Sequence, residues 1–177
     1  SASPEAAVAE FERAAKAQPI RHLFITSHRD GQSVDRTNPD EWDRLFERRA
    51  LVPFFVAQRM LQIAGEAGGM DDCSVVAAVD LGGDFGFSGN VTAPESGFMT
   101  GFMKGMFLEC SIVRGFKRLL AKAVDSPADE PVDSLAANIC RELAGATNDY
   151  EISFIGGRRY GQVALPVVAA YAQRAEV

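Results

Sequence analysis

An α/β fold with a mostly parallel sheet is what this sequence predicts, and three observations carry that expectation. Short apolar runs of strand length, His22–Thr26 and Ser74–Leu81 above all, alternate with helical patterns of 12 or more residues. The run SVVAAVDL is apolar almost throughout, as a strand buried on both faces of a parallel sheet must be. A paired glycine, Gly156-Gly157, interrupts an alternating segment near the end, which signals a hairpin.

Taken in order, residues 4–17 read as a helix with Pro4 in its first turn and Ala7, Val8, Phe11, Ala14 and Ala15 on one face; Pro19 stops it. The strand His22–Thr26 leads into a polar loop, Ser27 to Asn38. Asn38 or Asp40 can cap a long helix from Glu41 to Ala64, offering Trp42, Leu45, Phe46, Leu51, Phe54, Phe55, Met60 and Leu61 for burial. Pro53 lies inside that pattern and should kink or split it. Gly65, Gly68 and Gly69 end it. After Ser74–Leu81 come a glycine-rich loop, Gly82 to Asn90, and a helix from about Glu95 to Cys110. Leu120–Val124 reads as a strand, Pro131–Ala144 as a helix carrying Leu135, Ile139 and Leu143 inward, and Glu151–Leu165 as the hairpin. No repeat or linker divides residues 1–177, so a single domain is expected.

Composition narrows the function. Of 177 residues 47% are hydrophobic and 24% charged, and the net charge is −6. No basic stripe exists to neutralise phosphates, which argues against nucleic acid, and no apolar run is long enough for a membrane helix. The start, Ser1 to Glu10, lacks the features of a signal peptide. Cys73, Cys110 and Cys140 are odd in number and widely spaced, so they read as buried reduced thiols in a cytoplasmic protein.

In a doubly wound sheet, ligands bind beyond the carboxyl ends of the strands. Thr26, His28, Asp80 and Asp84 stand at those ends and are the candidate pocket residues, although polar residues are ordinary at loop ends. The run Gly82–Gly89 is a poor dinucleotide fingerprint: Asn90 to Pro94 intervenes before the next helix and the glycine spacing differs from G-x-G-x-x-G. His22 and His28 have no accompanying ligand cluster, so no metal is expected. Gly97, Gly101 and Gly105 recur every fourth residue beside Phe98 and Phe102. Each glycine in a helix costs about 1 kcal/mol against alanine, so this face either approaches the sheet closely or is an interface with a partner.

Several segments resemble the short-chain dehydrogenase/reductase fold from its middle to its end. Glu41–Arg49 continuing through Phe54–Gln58 resembles its long fourth helix, SVVAAVDL the following strand, and Gly97–Glu109 the next helix. More narrowly, Leu81–Gly86 (LGGDFG), Gly101–Lys104 (GFMK), Ala123-Val124-Asp125 and Glu151–Tyr160 (EISFIGGRRY) are similar to phrases of ketoreductase regions in polyketide and polyunsaturated fatty acid synthases, in the half that precedes the catalytic one. The resemblance covers about residues 20–165 and implies a truncated, three-layer Rossmann-like fold with helices on both faces and a C-terminal hairpin.

The resemblance also implies where catalytic groups would stand. The tyrosine position falls near Thr92, the lysine near Ser96, the serine near Val79 or Asp80 and the asparagine near Arg49; none matches. The "TGxxxGxG" cofactor turn is missing from these 177 residues. No catalytic residue and no cofactor are therefore expected in this chain. NADPH would belong to a neighbouring catalytic subdomain, which this half would support as a non-catalytic scaffold, with Gly97, Gly101, Gly105, Phe98 and Phe102 as its interface and a homodimer as the alternative when excised. Two further readings are a divergent NAD(P)-dependent reductase using Thr26, His28, Asp80 and Asp84, and a docking module for an acyl carrier protein or a neighbouring synthase domain, which the net charge of −6 disfavours apart from local basic residues such as Arg114, Lys117 and Arg118.

Overall fold

In a computed structural model, which describes residues 3–26, 38–67, 69, 72–89, 95–113, 119–145, 147 and 149–162, the chain forms a five-stranded sheet in the order β1-β2-β3-β4-β5. Strands β1 (His22–Thr26), β2 (Ser74–Val79), β3 (Leu120–Asp125) and β4 (Glu151–Ile155) run parallel. Strand β5 (Arg158–Gly161) returns antiparallel. The expected α/β class, three layers and terminal hairpin are all present.

Local chemistry accounts for the element ends. Helix α1 (Pro4–Ala17) is capped by the Ser3 hydroxyl, which accepts from the Ala6 amide. Helix α2 (Pro39–Phe46) is capped by Asn38, whose Oδ1 accepts from the Glu41 amide at 2.9 Å. The long helix expected over Glu41–Ala64 is divided, as Pro53 requires. A π turn, Glu47–Leu51, joins α2 to α3 (Val52–Glu66), and the Val52 amide bonds to the Glu47 carbonyl five residues back. Pro53 has no amide to continue an α-helical ladder there, and the wider turn absorbs the mismatch. Helix α4 (Glu95–Met106) also ends in a π turn, Phe107–Val113. Helix α5 is Val132–Gly145. Gly156 and Gly157 both have positive φ, 56° and 75°, as a two-residue hairpin turn requires. The loop 27–37 lies outside the described residues, as do His28 and Arg114 to Arg118.

One face of the sheet packs Val75, Ala77, Val79, Ala121 and Ala123 against Phe11, Ala57, Met60, Met99, Met103 and Met106 of α1, α3 and α4. The other packs Val76, Ala78, Val124, Ile152 and Phe154 against Ile139 of α5 with Leu135 and Leu143. All four parallel strands advance in one direction, so the β3–α5–β4 crossover has the opposite hand to the two before it. Two expectations are corrected. Cys73 and Cys110 are buried, but Cys140 is exposed, because α5 turns that side outward. Trp42 and Phe55, expected inside, are 37% and 39% exposed: α2 buries no residue of its own, and α3 turns Ala57 and Met60 inward and Phe55 outward.

The α5 layer is fastened by charge as well as apolar contact. Lys122 of β3 is fully buried, and its Nζ donates to Glu142 Oε2 at 2.8 Å and to the Thr147 hydroxyl at 2.7 Å. Arg159 of β5 reaches the same carboxylate and donates to Thr147 at 2.9 Å and Asp149 at 2.7 Å. Burial opposes the Glu142 charge, but hydrogen bonds from Arg159 and Lys122, with their charges, leave its pKa below the ordinary 4.5. This stabilisation is present above the unfolded carboxylate's pKa and is lost as pH falls through the lower folded value. Glu142→Gln should cost about 3–5 kcal/mol at neutral pH by leaving Lys122 buried beside a neutral group. Denaturant unfolding checks this, and the combined Lys122→Met, Glu142→Leu replacement should lose markedly less.

Candidate functional site

The carboxyl ends of the parallel strands are where the fold would hold a ligand, and the chain's own groups crowd that end. Thr26 closes β1, is exposed and pairs level with Ala78. Asp80, just past β2, is fully buried, and its amide donates to the Ser96 hydroxyl of α4 at 3.0 Å. Asp84 lies in the loop, where its Oδ2 accepts from the Ser88 amide at 2.9 Å. No contact joins Thr26, Asp80 and Asp84 into one site among the described residues, and His28 lies outside them. His22 is hydrogen-bonded through Nδ1 to Ser74 Oγ at 2.9 Å. Among the described residues no group of three His, Cys, Asp or Glu could hold a metal ion, and no helix is long and apolar enough to cross a membrane.

A residue that sequence reasoning left out of the site organises its centre. Asp125, the last residue of β3, is fully buried. Its Oδ1 accepts from the Leu81 amide at 2.8 Å and its Oδ2 from the Phe85 amide at 2.9 Å. Burial pushes the Asp125 carboxyl above the ordinary carboxylate range, while the amides of Leu81, Phe85, Gly83 and Ser126 pull against that shift. The loop winds tightly enough to supply these donors because Gly82, Gly83, Phe85 and Gly86 all have positive φ. Strand β2 therefore stops at Val79, two residues before the expected Leu81, since the Leu81 amide leaves the ladder for Asp125. From β4, the Ser153 hydroxyl donates to the Gly83 carbonyl. The glycine-rich loop thus lies pinned across the ends of β2, β3 and β4. The signal in the sequence was an aspartate ending an apolar strand.

Beside this loop lies a second buried polar set. Arg49, in the π turn, forms a buried ion pair with Glu95 at the start of α4, their side chains 7% and 5% exposed. Ser96, next in sequence, receives the Asp80 amide. Of the positions to which the resemblance assigns catalytic groups, Arg49 pairs with Glu95 and the Asp80 amide bonds to Ser96, two adjacent residues at the head of α4. Thr92 lies outside the described residues. The sequence carried no direct signal for this pairing, because Arg49 and Glu95 are 46 residues apart.

The glycine face of α4 points outward. Gly97, Gly101 and Gly105 are exposed, and a Cβ added at any of them would meet nothing within 4 Å. Close packing inside the chain therefore does not explain them. Aromatic rings run along this surface in unbroken contact, from Trp42 and Phe46 of α2 through Phe98 and Phe102 of α4 to Phe54 and Phe55 of α3, with successive centroids 5.0 to 6.4 Å apart. Between α3 and α4 a groove of about 580 Å³ is lined by Phe54, Gln58, Leu61, Phe102, Gly105 and Met106 among others.

Comparison with solved structures fixes the architecture. The bulky-bulky ketone specific alcohol dehydrogenase from Comamonas testosteroni superposes with a TM-score of 0.65 at 19% identity, over 83% of this chain and 60% of that one. The chain has the fold of the short-chain dehydrogenases. A putative short-chain dehydrogenase from Novosphingobium aromaticivorans gives 0.66 at 11% identity, over 85% and 58%. The 3-ketoacyl-(acyl-carrier-protein) reductase from Brucella melitensis, complexed with NADH, gives 0.52 at 13%, over 71% and 51%. The chain spans about three-fifths of the length of the first two. No protein-family profile and no curated protein sequence matches it.

Gly83 is a position where the loop has no room for a side chain. Its φ is +82°, and an added Cβ would lie 2.7 Å from Pro127 Cδ. Gly89 shares the positive φ but faces open space. Gly83→Ala should therefore cost well over the ~1 kcal/mol of backbone strain alone, and Gly89→Ala about that strain only. Thermal unfolding of the two variants makes the comparison.

Proposed function

We propose that this chain is a non-catalytic structural subdomain supporting the ketoreductase of a multidomain polyketide or polyunsaturated fatty acid synthase. The observation that carries the reading is that groups standing at the catalytic positions are engaged by the chain's own residues. Arg49 is paired with Glu95, and Ser96 is bonded to the Asp80 amide, beneath a loop held shut by Asp125. A reductase of this fold needs a proton donor and a ribose-holding cation there. The described residues do not fit a nicotinamide dinucleotide at this end of the sheet. Two amides of the glycine loop already hold a carboxylate, and the lysine position is a buried serine. NADPH chemistry belongs, on this reading, to the catalytic subdomain.

What the chain supplies is surface. Its partner is the catalytic ketoreductase subdomain, received on the glycine and aromatic face of α4 and α3. Close approach of another helix explains three exposed glycines, which in isolation only weaken α4. An excised copy would cover the same face with a second copy.

The face can be tested without disturbing the core. Because nothing lies within 4 Å of an added Cβ, Gly101→Ala should fold normally and gain up to about 1 kcal/mol of stability. Gly101→Leu should fold as well yet fail to associate with the catalytic subdomain in analytical ultracentrifugation, where the unaltered chain forms a one-to-one complex. Undiminished association of Gly101→Leu, or no complex with the unaltered chain, would overturn this assignment.

A further inference from the structure

We propose that the glycine-rich loop is an anion site that carries its own anion, the carboxylate of Asp125, and would accept a small free carboxylate once that side chain is removed. The inference stands on the geometry of the loop and does not depend on the scaffold reading.

Backbone amides that converge from one tight turn form a concavity with a net positive potential, a backbone seat for carboxylate and phosphate groups. Here φ is +83° at Gly82, +82° at Gly83, +61° at Phe85 and +81° at Gly86. Phe85 is the telling member, because a bulky residue in this region is strained and persists only where something holds it. What holds it is its amide, which donates to Asp125 Oδ2, while Leu81 donates to Oδ1. Both oxygens are thus occupied by main-chain donors from a loop 40 or more residues earlier in the chain. Among the described residues no lysine or arginine forms an ion pair with Asp125, so the amides answer its charge themselves. The fully buried Asp125 side chain leaves bulk water no share in its solvation. Gly83 presents its carbonyl to the Ser153 hydroxyl, so that acceptor is engaged elsewhere than with the anion.

Such a seat differs from an ordinary buried hydrogen bond in one measurable way: the anion need not be covalently attached. Asp125→Ala removes the carboxylate and leaves a void suited to formate. The variant's melting temperature should fall, then rise saturably with sodium formate, as expected for a ligand bound only by the folded state. Sodium chloride at equal ionic strength should raise it no more than it raises that of the unaltered chain. Amide exchange at Leu81 and Phe85 should quicken by at least about tenfold in the variant, since a hydrogen bond to a charged group is lost, and slow again in formate. Formate acting no better than chloride, or exchange at both amides unchanged, would overturn the proposal. If Asp125→Ala does not fold, Asp125→Asn keeps the shape but sets one amide donor against another. Faster exchange at one of the two positions is then expected, and equal protection of both contradicts the proposal. Association with the catalytic subdomain is a separate measurement, so failure here and failure of the scaffold reading are distinguishable.

Discussion

A parallel sheet must satisfy the polar backbone that spills from the carboxyl ends of its strands, and in enzymes of this fold class a bound ligand often shares that work. In this chain Asp125 takes the Leu81 and Phe85 amides, Ser153 secures the Gly83 carbonyl, and Pro127 closes against Gly83. The course of the loop, the early end of β2 and the need for glycine at position 83 follow from this arrangement. At the same end of the sheet the Asp80 amide donates to Ser96 of α4.

Two buried charged sets tie the layers together among the described residues. Arg49–Glu95 ties the π turn to α4 on one side of the sheet, and Lys122–Glu142–Arg159 ties β3, α5 and β5 on the other. Buried pairs of this kind are weak evidence for net stability, since apolar packing can replace them. They do fix register: Glu95 can meet Arg49 only if α4 starts where it does. In contrast, the outward face of α3 and α4 is aromatic, glycine-rich and grooved. Charged pairs therefore sit inside the fold, while aromatic and glycine residues line this outward face.

Much of the fold was legible in the sequence. The SVVAAV run, the Asn38 cap, the Pro53 break and the Gly156-Gly157 turn are local signals, each set by a few adjacent residues, and each element lies within a few positions of its expected place. The candidate site was less legible, because its parts meet only through the fold. Asp125 and Leu81 are 44 residues apart, Arg49 and Glu95 46. Lys122 stands inside an apolar strand, where its partner on α5 could not be guessed from spacing. Cys140 and Trp42 were misread because apolar character alone does not say which side of a helix the rest of the chain covers.

Whether the chain does redox chemistry is decided by titrating the purified chain with NADPH, followed by nicotinamide fluorescence and by reduction of a ketoacyl thioester. No saturable binding and no reduction are expected of this chain on its own. Tight, saturable binding accompanied by turnover would contradict that expectation.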